Sequence, residues 1–174
     1  MPWDRIELLS EHCAVDDFEC GLASVDDWFR EKALEAHAAR RVAVHAALTE
    51  ENALVGFFAL RHIIVNLEGE SKSTRRGAER DPEDHATAVL LAQMGVDRVY
   101  QGNGAGSRLV NAAMQAAVVA HTNAPFSFFV VDAANDELVP YYRNFGFRHH
   151  ATQPRRLFMT MSAVRRIVGA ASRS

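Results

Sequence analysis

Apolar residues along this chain come in short runs broken by polar turns, and the spacing within each run separates strands from helices. Residues 6–9 read as a first strand. Ser24 predicts a helix N-cap, with Asp27 three residues on as a capping-box variant. Val25, Trp28, Phe29 and Ala33 then recur at helical spacing, a stripe suited to a core rather than to a ligand. Residues 42–48 and 54–65 read as antiparallel strands joined at Glu50-Glu51-Asn52, the second long enough to bend at Arg61-His62. A further strand spans 88–96. The helix expected over 107–121 carries Leu109, Ala113, Ala116, Ala117 and Ala120 along one face, where small side chains allow close packing on a sheet. Residues 126–131 are an apolar run interrupted only by Ser127, the pattern of a strand buried on both faces, which suits a parallel neighbour of 88–96. A short helix over 136–144 and a last strand over 156–161 complete the set. No internal repeat is present, and residues 1–174 read as one domain.

The stretch 66–87 breaks this pattern. From Asn66 to His85 it holds Glu68, Glu70, Lys72, Arg75, Arg76, Glu79, Arg80, Asp81, Glu83 and Asp84 with almost no apolar residue, which predicts a solvated, mobile loop. A sharper reading makes Lys72, Arg75, Arg76 and Arg80 a basic patch beside an acceptor cleft, where phosphates neutralised by cations would release counterions and favour RNA.

Chemistry enters at Gln101-Gly102-Asn103-Gly104-Ala105-Gly106, which the strand over 88–96 enters and an Ala-rich helix leaves. Glycines let the backbone turn tightly and approach a ligand. The N–H groups from Gln101 to Ser107 and the positive end of the helix can then point at a pyrophosphate. Two common phosphate loops fail on spacing. A Walker loop ends in Gly-Lys-Ser/Thr, whereas Gly106 is followed by Ser107-Arg108. The dinucleotide fingerprint needs a sixth-place glycine, occupied here by Ser107, and a ribose-binding acid about 20 residues on, where Ala120-His121-Thr122 stands.

The remaining pattern, Gln-x-x-Gly-x-Gly, resembles the coenzyme A loop of the GNAT superfamily of N-acetyltransferases. Met94-Gly95-Val96-Asp97 resembles that superfamily's central strand, and Asn135 with Tyr141-Tyr142-Arg143-Asn144-Phe145-Gly146-Phe147 resembles its second motif. The resemblance implies a mixed α/β (α+β) GNAT fold: a mostly antiparallel central sheet with one splayed parallel strand pair, flanked by helices. It implies acetyl-CoA as cofactor, held by Gln101, Gly102, Asn103, Gly104, Ala105, Gly106, Ser107 and Asn135. Met94 would line the pantetheine arm and the Val96 N–H would stabilise the oxyanion. A narrower resemblance joins Phe18-Glu19-Cys20-Gly21, Asp26-Asp27-Trp28-Phe29-Arg30, Phe158-Met159-Thr160-Met161 and Arg165-Arg166 to the GNAT toxins of toxin–antitoxin modules, which acetylate aminoacyl-tRNA. It spans almost the whole chain and departs from that group at 66–85 and in overall charge.

Composition then limits the class. With 174 residues and 48% apolar content the chain can bury a full core. Met1-Pro2-Trp3-Asp4-Arg5 lacks a basic head followed by an apolar run, and no stretch of about 18 apolar residues occurs, so a cytoplasmic protein without membrane contact is expected. Cys13 and Cys20 are too few for a disulfide scaffold. The histidines lack zinc-helix spacing and no metal is expected. A Gly-x-Ser-x-Gly elbow is missing, which sets hydrolases aside. Net charge is −3, divided between −7 over residues 1–35 and +4 beyond.

Tyr142 is the candidate general acid, since a phenol of pKa near 10 stays protonated beside a thiol of about 8.5 and can give its proton to the departing sulfur. Tyr141 is read as the core residue of the pair. Asp97, His62 and Glu68 are conceivable bases, but an α-amine of pKa about 7.7–8.0 is partly neutral near pH 7, and no dedicated base is expected. Three functions are compatible. The first is a toxin acetylating aminoacyl-tRNA, gripped by Arg40, Arg41, Lys72, Arg75 and Arg76 and partnered by a small DNA-binding antitoxin. The second is an N-acetyltransferase of a small-molecule amine or peptide. The third is a non-catalytic CoA-binding module. Exposed apolar faces on the first helix would permit a homodimer.

Overall fold

A computed structural model describes residues 2–173. Seven strands form one sheet in the order β1-β2-β3-β4-β5-β7-β6. They are β1 (Arg5–Leu8), β2 (Ala43–Leu48), β3 (Leu54–Asn66), β4 (His85–Val96), β5 (Phe128–Asp132), β6 (Arg148–His149) and β7 (Arg156–Thr160). β1 with β2, β2 with β3, β5 with β7 and β6 with β7 pair antiparallel. β4 and β5 are the parallel pair, in register over Ala88–Leu91 with Phe128–Val131, and β4 runs on to Val96. The helices are α1 (Ala23–Ala38), α2 (Lys72–Arg76), α3 (Ala105–Asn123), α4 (Leu138–Arg143) and α5 (Met161–Ala171). Two compact units divide the chain: residues up to Arg61 with Ala92–Ala113, and His62–Leu91 with the residues from Met114 onward.

In the first unit the apolar stripe of α1 meets β3. Phe29 stacks on Phe57 at 3.9 Å between ring centroids, and Phe18 presents its edge to both at 4.9 and 5.3 Å. All three rings are buried, each contributing roughly 1.5–3 kcal/mol by leaving water. Val25 and Ala33 complete the stripe. The face expected to be exposed for a second copy is therefore spent on the chain's own core. Ser24 does not cap α1: the helix begins at Ala23, two residues earlier than a Ser24 cap would give, and no side chain caps it at Leu22. The first-turn acid, Asp26, instead turns back to the N–H groups of Cys20 and Gly21.

In the second unit β5 is buried from Phe128 to Val131, as its apolar run requires, and Phe158 of β7 meets Phe128 edge-on at 5.3 Å. The polar stretch after β3 is folded rather than featureless. Its base is closed by the Leu67 N–H donating to the Asp84 carbonyl at 2.9 Å, and Leu67 and Thr74 are its buried inner residues. Ser71 caps α2 by accepting from the Thr74 N–H. The sequence pattern does not announce α5, because Met161 reads equally well as the end of a strand. Thr160 ends β7 and caps α5 through the Ala163 N–H, while Met161 and Val164 turn inward.

Candidate active site

The glycine loop lies in the first unit, between a 3-10 turn over Arg98–Tyr100 and α3. Gly102, Asn103 and Gly104 all have left-handed backbones, with φ of 82°, 49° and 76°. Such a run suits glycine and asparagine and turns successive N–H groups to one side. Among the described residues, no protein acceptor meets the N–H groups of Gly102, Asn103, Gly104, Gly106 or Ser107. A Cβ built at Gly102 or Gly104 would meet no atom within 4 Å. Open space above a row of free donors at the start of a 19-residue helix fits a pyrophosphate. Gly106, grouped with the turn glycines on sequence, has no left-handed φ and belongs to the first turn of α3.

Gln101 has a different task from its neighbours. Its side-chain amide donates to the Val96 carbonyl at 2.9 Å and to the Cys20 carbonyl at 2.7 Å, tying the loop to the end of β4. Its own N–H is turned inward, to the Arg98 carbonyl. Val96 is buried and Met94 half-buried on β4. Asp97 is occupied structurally: one oxygen accepts from Val99 N–H at 3.0 Å and the other from Glu19 N–H at 3.1 Å.

Tyr142 and Asn135 lie in the second unit. Tyr142 is 6% exposed, and its ring meets Tyr141 and Phe147 edge-on. Burial first, and Tyr141 second, push its phenol well above the ordinary value, so it is fully protonated at neutral pH. The expectation that Tyr141 is the core member of the pair is reversed, since Tyr141 is half-buried and Tyr142 buried. The Asn135 side-chain oxygen accepts from the Leu138 N–H at 3.1 Å and so anchors the entry to α4. His62 rests edge-on against Phe126 at 5.7 Å, and Glu68 is exposed.

The candidate RNA-binding cations divide into free and engaged groups. Arg75 and Arg80 both bind the Asp84 carboxylate and brace the stretch between β3 and β4. Arg75 thus leaves the basic patch, while Lys72 and Arg76 are exposed with no acidic partner among the described residues. Arg41 pairs with Glu35 at 2.8 Å on the surface, a contact worth little and easily exchanged. Arg40 holds φ +55° just after α1, where its N–H and that of Arg41 bond back to His37 and Ala36. That is the helix-ending position glycine usually takes. Arg165 is committed to His121 and Thr122 on α3, at 2.9 and 3.2 Å. Among the described residues no helix is long and apolar enough to cross a membrane.

Comparison with known proteins adds relatives to this geometry. A tRNA-acetylating toxin of Mycobacterium tuberculosis is 29% identical over 161 residues, covering 92% of this chain and 94% of the toxin. A protein of Sinorhizobium fredii named probable toxin TacT is 26% identical over 164 residues and covers 87% of each. Among solved structures, AtaT complexed with acetyl-methionyl-tRNAfMet matches the fold with a TM-score of 0.83 at 20% identity, over 94% of this chain and 98% of that one. AtaTR bound with AcCoA matches with a TM-score of 0.79 at 21% identity, over 94% and 96%. The description "Acetyltransferase (GNAT) family" fits residues 4–147, which take in β1 to α4, the parallel strand pair and the glycine loop. The chain belongs to the acetyltransferase (GNAT) family.

Proposed function

We propose that the chain is an acetyl-CoA-dependent N-acetyltransferase whose acceptor is the α-amine of an aminoacyl-tRNA, so that it blocks translation as a toxin and is silenced by a small DNA-binding antitoxin. The carrying observation for the cofactor is the left-handed run Gly102-Asn103-Gly104, with free donors beneath open space. The acceptor rests on likeness to a tRNA-acetylating toxin along 92% of the chain. Exposed Lys72, Arg76 and Arg40 supply cations for an RNA backbone. An aminoacyl-tRNA acceptor would place the reaction in the cytoplasm.

Acetyl-CoA, when bound, supplies an acetyl thioester. The loop N–H groups would hold its pyrophosphate, Met94 would line its arm, and the Val96 N–H would donate to the thioester carbonyl oxygen. Transfer to the amine would form a C–N bond and break the C–S bond, leaving a thiolate to be protonated. The amine would lose one proton to water, and Tyr142 would act as the general acid that supplies another to the departing sulfur and is reprotonated from solvent. Burial holds the Tyr142 phenol in its protonated form at neutral pH.

The test is direct. The purified protein is incubated with acetyl-CoA and charged bulk tRNA, the RNA is digested, and acetylated aminoacyl-adenosine is sought by mass spectrometry. Acetylation of free amines or peptides with none on tRNA would replace this acceptor with a small molecule or peptide.

A further inference from the structure

We propose that Asp26 is a positioning residue for the coenzyme loop, acting through the Cys20–Gly21 peptide and Gln101. Asp26 is 3% exposed in the first turn of α1. One oxygen accepts from the Cys20 N–H at 2.7 Å and the other from the Gly21 N–H at 3.2 Å. Burial alone would raise its pKa, but the Cys20 thiol, these two N–H groups and the charge of Arg30 outweigh it and hold the carboxyl below the ordinary range. Asp26 is therefore a buried anion. Its surface neighbour Asp27, not Asp26, takes the ion pair with Arg30. A buried charge is costly, and what it organises indicates why it is there.

The peptide it holds is the one Gln101 reads. The Gly21 N–H and the Cys20 carbonyl belong to a single peptide group: the carboxylate accepts on one side, and Gln101 donates on the other at 2.7 Å. A carboxylate on the N–H side polarises the peptide and strengthens its carbonyl as an acceptor. The second hydrogen of the same Gln101 amide goes to the Val96 carbonyl. A line of hydrogen bonds thus runs from Asp26 through Cys20–Gly21 and Gln101 to the end of β4. The segment is held against that strand in other ways too. Glu19 N–H reaches Asp97, Arg98 N–H reaches the Glu19 carbonyl at 2.9 Å, and a Cβ at Gly95 would lie 3.1 Å from Phe18 and 3.2 Å from Cys20. Gly21 is needed where it stands, with φ +93° and Arg98 packed 3.2 Å from its absent Cβ.

This inference rests on the loop being a coenzyme site, and the experiment separates the two. Acetyl-CoA affinity is measured by calorimetry on wild type, Asp26→Asn, Gln101→Met and the double variant, each below its melting temperature. An asparagine presents an amide donor to one of the two N–H groups. Losing that charge-assisted bond should weaken acetyl-CoA binding about ten- to hundredfold. In the Gln101→Met background the same change should cost less than about threefold, because the line is already cut. Wild-type affinity in folded Asp26→Asn, with only a lower melting temperature, would make Asp26 a fold residue and overturn the proposal. Fully additive losses in the double variant would also overturn it. Should Asp26→Asn not fold, unchanged affinity in Gln101→Met would have the same force. A wild-type protein that binds no acetyl-CoA would remove the reading of the loop itself, and this inference with it.

Discussion

Gly104→Val separates the cost of folding from the cost of binding. Gly104 holds φ +76°, and a Cβ there meets no protein atom within 4 Å. The substitution therefore creates no clash. Its penalty to the fold is the left-handed backbone of a β-branched residue, roughly 1–3 kcal/mol, against a total stability on the order of 5–15 kcal/mol for a domain. The variant should fold. Binding is affected differently, because the new side chain occupies the space above the donors from Gly102 to Ser107 and pulls φ negative, turning those N–H groups away. Losing two charge-assisted hydrogen bonds at about 1.5–3 kcal/mol each amounts to about 3–6 kcal/mol, or roughly 10²–10⁴-fold in acetyl-CoA affinity. Calorimetry on protein shown to be folded by circular dichroism measures this. Gly56→Ala is the contrasting control: its Cβ would lie 2.7 Å from the Gly95 carbonyl oxygen, a backbone atom that cannot step aside, so stability falls first. Wild-type affinity in folded Gly104→Val would refute the cradle.

Tyr142→Phe should lower kcat by roughly 10²–10⁴-fold while acetyl-CoA affinity stays near wild type, and steady-state kinetics beside calorimetry checks both halves. Lys72→Glu with Arg76→Glu should weaken tRNA binding and flatten its dependence on salt, by about one unit of slope for each phosphate that is no longer neutralised, as read from filter binding across a salt series. Arg40→Gly should move two quantities in opposite directions: the relieved left-handed backbone raises stability by up to about 1 kcal/mol in a denaturant titration, while RNA affinity falls. His45 stacks on Phe58 at 4.6 Å, and burial, with His37 as a lesser cause, lowers its pKa. A histidine whose folded pKa lies below its unfolded one favours the unfolded chain when protonated. Stability should thus be full above pH about 6.5 and fall as the pH drops from there. Melting curves at pH 7.5 and 5.5 should show that loss in wild type and a smaller one in His45→Phe.

Strands buried on one or both faces were legible because apolar runs of five to seven residues leave little else to form, and 42–48, 54–65 and 126–131 match β2, β3 and β5 within two residues. The glycine loop was legible because a left-handed run needs glycine or asparagine. The short elements were not. α2 has five residues of polar sequence and depends on the Ser71 cap and the buried Thr74, while the six residues of α4 cannot say which of two adjacent tyrosines turns inward. Charge also misleads, because an aspartate two residues after Ser24 looks like a helix-start acid facing water. Only the folded chain shows that Asp26 is buried and serves a turn behind it. Gln101 and Cys20 are 81 residues apart, and no local pattern announces their bond.

That bond also changes what the toxin-like opening of the chain means. Phe18-Glu19-Cys20-Gly21 and Asp26 resemble the opening of the tRNA-acetylating toxins, yet, apart from the exposed Glu19 side chain, they are engaged with the core and the glycine loop. Phe18 fills the core against Phe29 and Phe57, Cys20 accepts from Gln101, and Asp26 holds the peptide between them. On the proposed reading, the opening supports the coenzyme loop. It would serve any acceptor, so its presence supports acetyl transfer and is neutral between tRNA and a smaller amine. On the proposed function, discrimination falls to outward-facing cations, of which Lys72 and Arg76 on α2 and Arg40 after α1 are the candidates, the last holding a left-handed backbone that glycine would adopt with less strain. If tRNA acetylation survived neutralisation of all three, with its salt dependence intact, the acceptor would have to be held elsewhere on the chain.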